Sequence, residues 1–415
     1  MPATYAGWAL GVPLGTSARD EVPAGAAQAL SAIAAIAVAV ATGQSEHSRL
    51  PTRASVTRLH CCEQNFLSQP FAACCHSRMR LLVIGGTRFI GQRIVHELLA
   101  RGDDVTVVHR GVTEPDGVPA PGERPAASHL HFDRANFADS AGQVRALRPD
   151  AVIDTVAMTR ADAAAVLPHL PDVPLVLLSS MDVYRAYELL LADESGAAVP
   201  ITEEGEVRRG RYPLRDYGDG YADYDKLDVE PGYLARGGAV LRLGAIYGER
   251  DPQRREEFIL RRVRAGRPRI PIGAGTWLWT RGYVGDVASA VRAVLDNPVA
   301  TAGEIFNVGD LTTSTMRDYA AAILAASGQT ASGQTAELVT VPDSVVPPDL
   351  AITKSTAQHL LCDSGKLSRT VGWKPADGGD SMARSVKWHL ANPPEAADAD
   401  FSADDRALAA AQAAS

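Results

Sequence analysis

The stretch that decides the fold is Met79 to Gly91, MRLLVIGGTRFIG. An apolar run, Leu81 to Ile84, ends in Gly85-Gly86. After Thr87 and Arg88, the residues Phe89, Ile90 and Gly91 open an amphipathic stretch, QRIVHELLARG. That order reads as strand, tight turn, helix. Glycine suits such a turn because a side chain would hold the backbone away from a pyrophosphate, whose charge is met by the N–H groups of the helix N-terminus. The stretch predicts a dinucleotide site at Gly85, Gly86, Thr87, Arg88, Phe89, Ile90 and Gly91.

A lone glycine turn is also an ordinary strand-to-helix connection, so the surrounding residues must decide. A second apolar strand, Asp104 to Val108, follows at the βαβ distance and ends in His109-Arg110. An NAD site places an acidic residue there for the ribose 2′-hydroxyl. Here the position is His109 with a cation beside it, which predicts NADP rather than NAD.

Further strands are expected at 129–133, 151–156, 173–179 and 238–243, separated by helical stretches. Such alternation calls for a doubly wound, Rossmann-type parallel sheet, an α/β fold with helices on both faces and ligand at the carboxyl ends of the strands. Those ends carry Gly85, His109, Asp133, Val156 (followed by Ala157) and Ser180. The Rossmann domain is expected over 79–250. A smaller, less regular C-terminal lobe over 251–392 would bind substrate, with the helix at 285–297 packing back on the Rossmann domain. Residues 393–415 read as a fraying helical tail.

Residues 1–78 are rich in Ala, Ser and Thr and interrupted by prolines. They read as a disordered extension or an over-long start, with the working protein opening at Met79. The apolar run Leu30 to Val40 is too short to span a bilayer. Four of five cysteines lie here, as Cys61-Cys62 and Cys74-Cys75. Adjacent pairs lack the C-x-x-C spacing that lets two thiolates of one turn reach one zinc, so no metal is expected. With only Cys362 beyond Met79, the globular part reads as cytoplasmic and free of disulfides. The formal charge of -8 gives no general attraction to nucleic acid or to an anionic membrane.

From Met79 to about Asn392 the sequence resembles an extended short-chain dehydrogenase/reductase of the NAD-dependent epimerase/dehydratase family. GGTRFIG stands where that family has T-G-x-x-G-F-I-G. LLSSMDVY resembles its S-S-x-x-V-Y segment, LRLGAIYGERDP its R-x-x-x-x-Y-G-P stretch, and YVGDVASAV its V-x-D-x-A helix start; GWKP and VKW are similar to its C-terminal pattern. The GGTRFIG form is also similar to a divergent branch that includes chloroplast stem-loop RNA-binding proteins.

The resemblance implies hydride transfer at a Ser, Tyr, Lys site. Ser180 matches the serine that bonds the substrate oxygen. Lys226, in K-x-x-x-E with Glu230, matches the lysine that holds the nicotinamide ribose and lowers the pKa of a neighbouring phenol. The family spacing is Y-x-x-x-K, but Ala222 stands at that position. Tyr221 and Tyr224 flank it. On a regular helix Tyr224 points well away from the lysine's face, so Tyr221, brought in by a bulge or a late helix start, is the expected acid/base. Family position also puts Asp133-Arg134 near the adenine. Arg88, where the family has glycine, could join Arg110 on a 2′-phosphate.

Arg254, Arg255, Arg261, Arg262, Arg264, Arg267 and Arg269 crowd one segment. By family position Arg254, Arg261 and Arg262 would hold the diphosphate of a nucleotide-sugar, an anionic small-molecule substrate. Base stacking needs aromatics, and Phe258 alone interrupts the run, which argues against RNA. One of Trp277 and Trp279 could face the cleft while the other packs. Asp286 reads as a helix N-cap. The function expected is NADP-dependent oxidation and reduction of a nucleotide-sugar or similar polyol, epimerisation and simple reduction being left open, with a homodimer as the family's habit. The alternative is a non-catalytic NAD(P) sensor or RNA-binding protein.

Overall fold

A computed structural model describes residues 78–112, 127–213, 222–328, 336–395 and 399–413. The strand that opens it is β1 (Arg80–Ile84), and the helix after the glycine turn is α1 (Phe89–Arg101). They are followed by β2 (Asp104–His109), β3 (Ser128–His131), α2 (Phe137–Leu147), β4 (Ala151–Asp154), α3 (Arg160–Val166), β5 (Leu175–Ser180), α4 (Arg185–Leu191), α5 (Lys226–Leu234) and β6 (Ala239–Leu243). With a later strand, β10 (Ile305–Val308), at its edge, the order in the main sheet is β10-β6-β5-β4-β1-β2-β3, all parallel. The doubly wound Rossmann-type fold expected from the sequence is present.

The strands are apolar throughout because both faces are covered. Leu82, Ile84, Val108, Val152, Leu177 and Val240 pack on one side with Phe137, Val144, Val166 and Val229 from α2, α3 and α5. Their neighbours Leu81, Val83, Val105, Val107, Ile153 and Val176 face the other way, against Ile94 and Leu98 of α1. The order in which strands are added reverses between β1 and β4, so the connections leaving their carboxyl ends part around a crevice, the place where such sheets take ligands.

Beyond β6 come β7 (Ala245–Tyr247), α6 (Glu257–Arg264), β8 (Arg269–Ile272), β9 (Arg281–Tyr283), α7 (Val284–Asp296), β10 (Ile305–Val308), α8 (Met316–Ser327), β11 (Glu337–Thr340), α9 (Gly378–Ala391) and α10 (Ser402–Ala413). Two small parallel pairs, β7 with β9 and β8 with β11, build the lobe. The helix expected to pack back, α7, lies on α1, and β10 pairs with β6 to extend the main sheet beyond the segment up to residue 250. The tail does not fray. Asp404 of α10 is fully buried and pairs with Arg262, and Ala407 is buried beside it.

Residues 1–77, with their four cysteines, lie outside the described residues, as does Tyr221. No helix among the described residues is long and apolar enough to cross a membrane.

Candidate active site

A cleft of about 940 Å³ opens at the carboxyl ends of the strands. Its floor is the glycine turn. Gly85 and Gly86 have φ of +87° and +111°, which L side chains adopt only with strain. A Cβ on Gly85 would strike Thr155 Oγ1, and one on Gly91 would lie 2.6 Å from Gly86 Cα. α1 therefore starts with its backbone pressed against the turn. Arg88, the residue before α1, makes no side-chain cap, so the first N–H groups of the helix keep no capping oxygen. That end fits an anionic diphosphate. Thr87, Arg88, Phe89, Ile90, His109, Arg110, Asp133, Arg134 and Val156 also line the cleft.

Several expected contacts have other duties. Asp133 caps a short 3₁₀ turn by accepting from the Ala135 N–H. Arg134 donates to the Asp154 carboxylate and to the Asp162 carbonyl. Ala157 is wholly buried and does not line the cleft; its carbonyl instead receives a hydrogen bond from Lys226. Thr155, not expected, does line it.

Lys226 is the first residue of α5, whose N-cap Asp225 accepts from the Leu227 N–H. Arg208 fixes Asp225 in turn, Nη2 to Oδ1 at 2.7 Å. The ammonium donates to the carbonyls of Ala157 at 2.6 Å and Leu178 at 3.1 Å. Burial brings its pKa down to about 8, against the pull of Asp182 and Asp154.

Because α5 begins only at Lys226, the residues before it follow no helical spacing, and the expectation that Tyr224 turns away is overturned. Its hydroxyl donates to Asp182 Oδ2 at 2.8 Å and is hydrogen-bonded by Ser180 as well. Tyr224, Asp182, Ser180 and Lys226 all line the cleft. Ser180 ends β5 and accepts from the Asp182 N–H at 3.2 Å. Burial and the Asp182 carboxylate hold the Tyr224 phenol well above its ordinary pKa. Burial likewise raises Asp182, opposed by Tyr224, Arg208, Ser180 and Lys226. The family logic, in which a lysine makes tyrosine acidic, is thus inverted. This phenol stays protonated beside a carboxylate that can take its proton.

The arginines expected to hold a substrate diphosphate do not line the cleft. Arg262, fully buried, is gripped by Asp349 and Asp404. Arg261 donates to Asp349, and Arg254 reaches the Asn392 carbonyl at 2.6 Å. A cluster of guanidinium groups met by facing carboxylates is lobe structure, not a ligand site. Arg255 and Gln253 from the same segment do line the cleft. So does Trp279, stacked at 4.9 Å between ring centres on Trp277, which packs in the core. Asp286 is not the cap of α7. It lies in the first turn and accepts from the Ala376 N–H at 2.7 Å.

A sequence model of the NAD dependent epimerase/dehydratase family matches residues 81–169 and 233–309. Chloroplast stem-loop binding protein of 41 kDa b from Arabidopsis thaliana is 27% identical over 348 residues, 80% of this chain and 85% of that protein. dTDP-glucose 4,6-dehydratase from Salmonella typhimurium is 23% identical over 355 residues, covering 76% and 93%. The crystal structure of dTDP-glucose 4,6-dehydratase from Bacillus anthracis, in complex with NAD, superposes with a TM-score of 0.55 at 18% identity, over 76% of this chain and 97% of that one. The glycine turn at a switch-point crevice and the strand order agree with these matches: over the two matched stretches the chain is similar to the NAD-dependent epimerase/dehydratase family, in a divergent form.

Proposed function

We propose that this protein is an NADP-dependent oxidoreductase that exchanges a hydroxyl and a carbonyl on a nucleotide-sugar or related polyol. The observation that carries the proposal is the hydrogen-bonded group of Ser180, Asp182 and Tyr224 beside Lys226, at the end of a cleft that begins on the Gly85–Gly91 turn. A nicotinamide dinucleotide laid along that cleft supplies the hydride acceptor. Lys226 keeps one ammonium hydrogen beyond the two given to carbonyls, which suits a ribose hydroxyl.

In the oxidising direction Ser180 orients the substrate hydroxyl. The substrate's proton passes to the Tyr224 oxygen while the phenol's own proton moves to Asp182 Oδ2. Reduction runs the steps backwards. Burial raises the Asp182 carboxyl, and Lys226 and Arg208 oppose that rise.

NADP is favoured over NAD because β2 ends in His109-Arg110 with no carboxylate, and because Arg88 and Arg110 are exposed on the cleft wall. Titration of the protein's fluorescence with NADPH and NADH tests this. Tighter NADPH binding that falls in R110A supports it, and equal affinities remove it. Nucleotide-sugars screened with either dinucleotide test the chemistry; no turnover with intact cofactor binding would leave a sensor.

The likeness to the chloroplast stem-loop binding protein supports a second reading, RNA binding. Its expected seat, the Arg254–Arg269 segment, is largely engaged by carboxylates. Filter binding across salt concentrations separates the readings, since contacts to several phosphates must weaken steeply with salt.

A further inference from the structure

Ten histidines occur in the chain, and three of them meet at one corner of the main sheet. His109 is the last residue of β2, and His129 and His131 are alternate residues of β3. The parallel register sets Val107 opposite His129 and His109 opposite His131. All three imidazoles therefore rise from the same face, because side chains two apart on a strand point the same way. One ring nitrogen from each lies within 4.8 Å of the others. His109 Nε2 and His129 Nδ1 are 2.9 Å apart, and the His109 ring meets His131 edge-on at 4.5 Å between centres.

We propose that His109, His129 and His131 form a site for a first-row divalent transition metal, with zinc the best match. Two features set this corner apart from a chance group of polar residues. The donors are carried by adjacent, hydrogen-bonded strands, so their spacing is fixed by the sheet rather than by flexible loops. Imidazole is also a preferred ligand of zinc, and three of them with one position left for water is an established coordination set. A proton now bridges His109 Nε2 and His129 Nδ1, since the Gly111 N–H donates to His109 Nδ1 at 3.2 Å and leaves that nitrogen an acceptor. Metal entry displaces this proton: if His109 ligates through Nε2, its one ring proton moves to Nδ1 and the Gly111 amide must turn away. Metal occupancy is thereby coupled to the backbone just past Arg110, beside the cleft wall. The proposal does not rest on the proposed oxidoreductase activity, although His109 also lines the cleft.

The test is titration of tag-free, chelator-treated full-length protein with Zn2+ followed by calorimetry, and with Co2+ followed by visible absorption. One equivalent should bind, with the d–d bands of a nitrogen site and no thiolate charge-transfer band. H131A, at a half-exposed strand end, and H129A should each weaken binding at least about tenfold, since even indirect support of a ligand is worth that much. Replacing Cys61, Cys62, Cys74 and Cys75 by serine should leave affinity unchanged. Binding that survives H131A and H129A, that vanishes with the cysteines, or that is absent from the wild type overturns the proposal. The near-normal thermal unfolding expected of H131A separates a lost ligand from a lost fold.

Discussion

One hydrogen bond, Tyr224 to Asp182, carries most of the chemistry assigned to the cleft. Y224F keeps the ring and removes the proton, so kcat should fall by about 10²-fold or more with dinucleotide affinity retained, as for loss of a general acid. D182N should fall comparably, because an amide cannot accept the relayed proton. A stopped-flow hydride-transfer assay reads both, and wild-type rates in Y224F would remove the phenol from the mechanism. Lys226 sets the pH dependence. Its pKa is depressed to about 8, so the ammonium is lost as pH rises through that value, and dinucleotide affinity should decline above it. K226A should bind weakly at all pH values, with that alkaline limb gone. Ser180 and Lys226 are legible from their motifs. Tyr224 is not, because helical spacing carried through it turns it away from Lys226; Asp225, an N-cap residue immediately before Lys226, is the sign in the sequence that the helix starts later.

Among the elements, the glycine turn and α1 were readable because backbone conformation itself demands glycine at 85 and 86. Gly91 has a different reason: α1 crosses the turn so closely that a Cβ there meets Gly86 Cα. G91A should cost about 1–3 kcal/mol in urea unfolding, the usual range for overpacking, and should weaken dinucleotide binding in parallel. The duty of α6 is not legible in its sequence. Its arginines look like a ligand face until the partners are seen, and those partners, Asp349 and Asp404, are far away in sequence. R262A strands the wholly buried Asp404 carboxylate, while Asp349 keeps Arg261, and should destabilise the fold by about 3–5 kcal/mol. R261Q should leave the KM for any nucleotide-sugar unchanged. A raised KM would return this helix to the substrate site.

For the molecule as a whole, fold class followed from periodicity because apolar strands alternating with amphipathic helices admit few arrangements. What periodicity could not supply was the return of the chain from the lobe to lay β10 against β6, or the seating of α10, since both depend on contacts distant in sequence. The grip of Asp404 on Arg262 carries a consequence for synthesis. The two residues are 142 apart in the chain. At ordinary elongation rates the carboxylate is made on the order of ten seconds after the guanidinium it neutralises. Through that interval the nascent lobe holds a cation with only Asp349, itself made 87 residues later, to meet it. The Rossmann strands up to β6 can assemble on the ribosome, but the lobe reaches its final state only after the segment carrying Asp404 is translated. A stalled or prematurely terminated chain therefore exposes a half-finished lobe to proteases and chaperones.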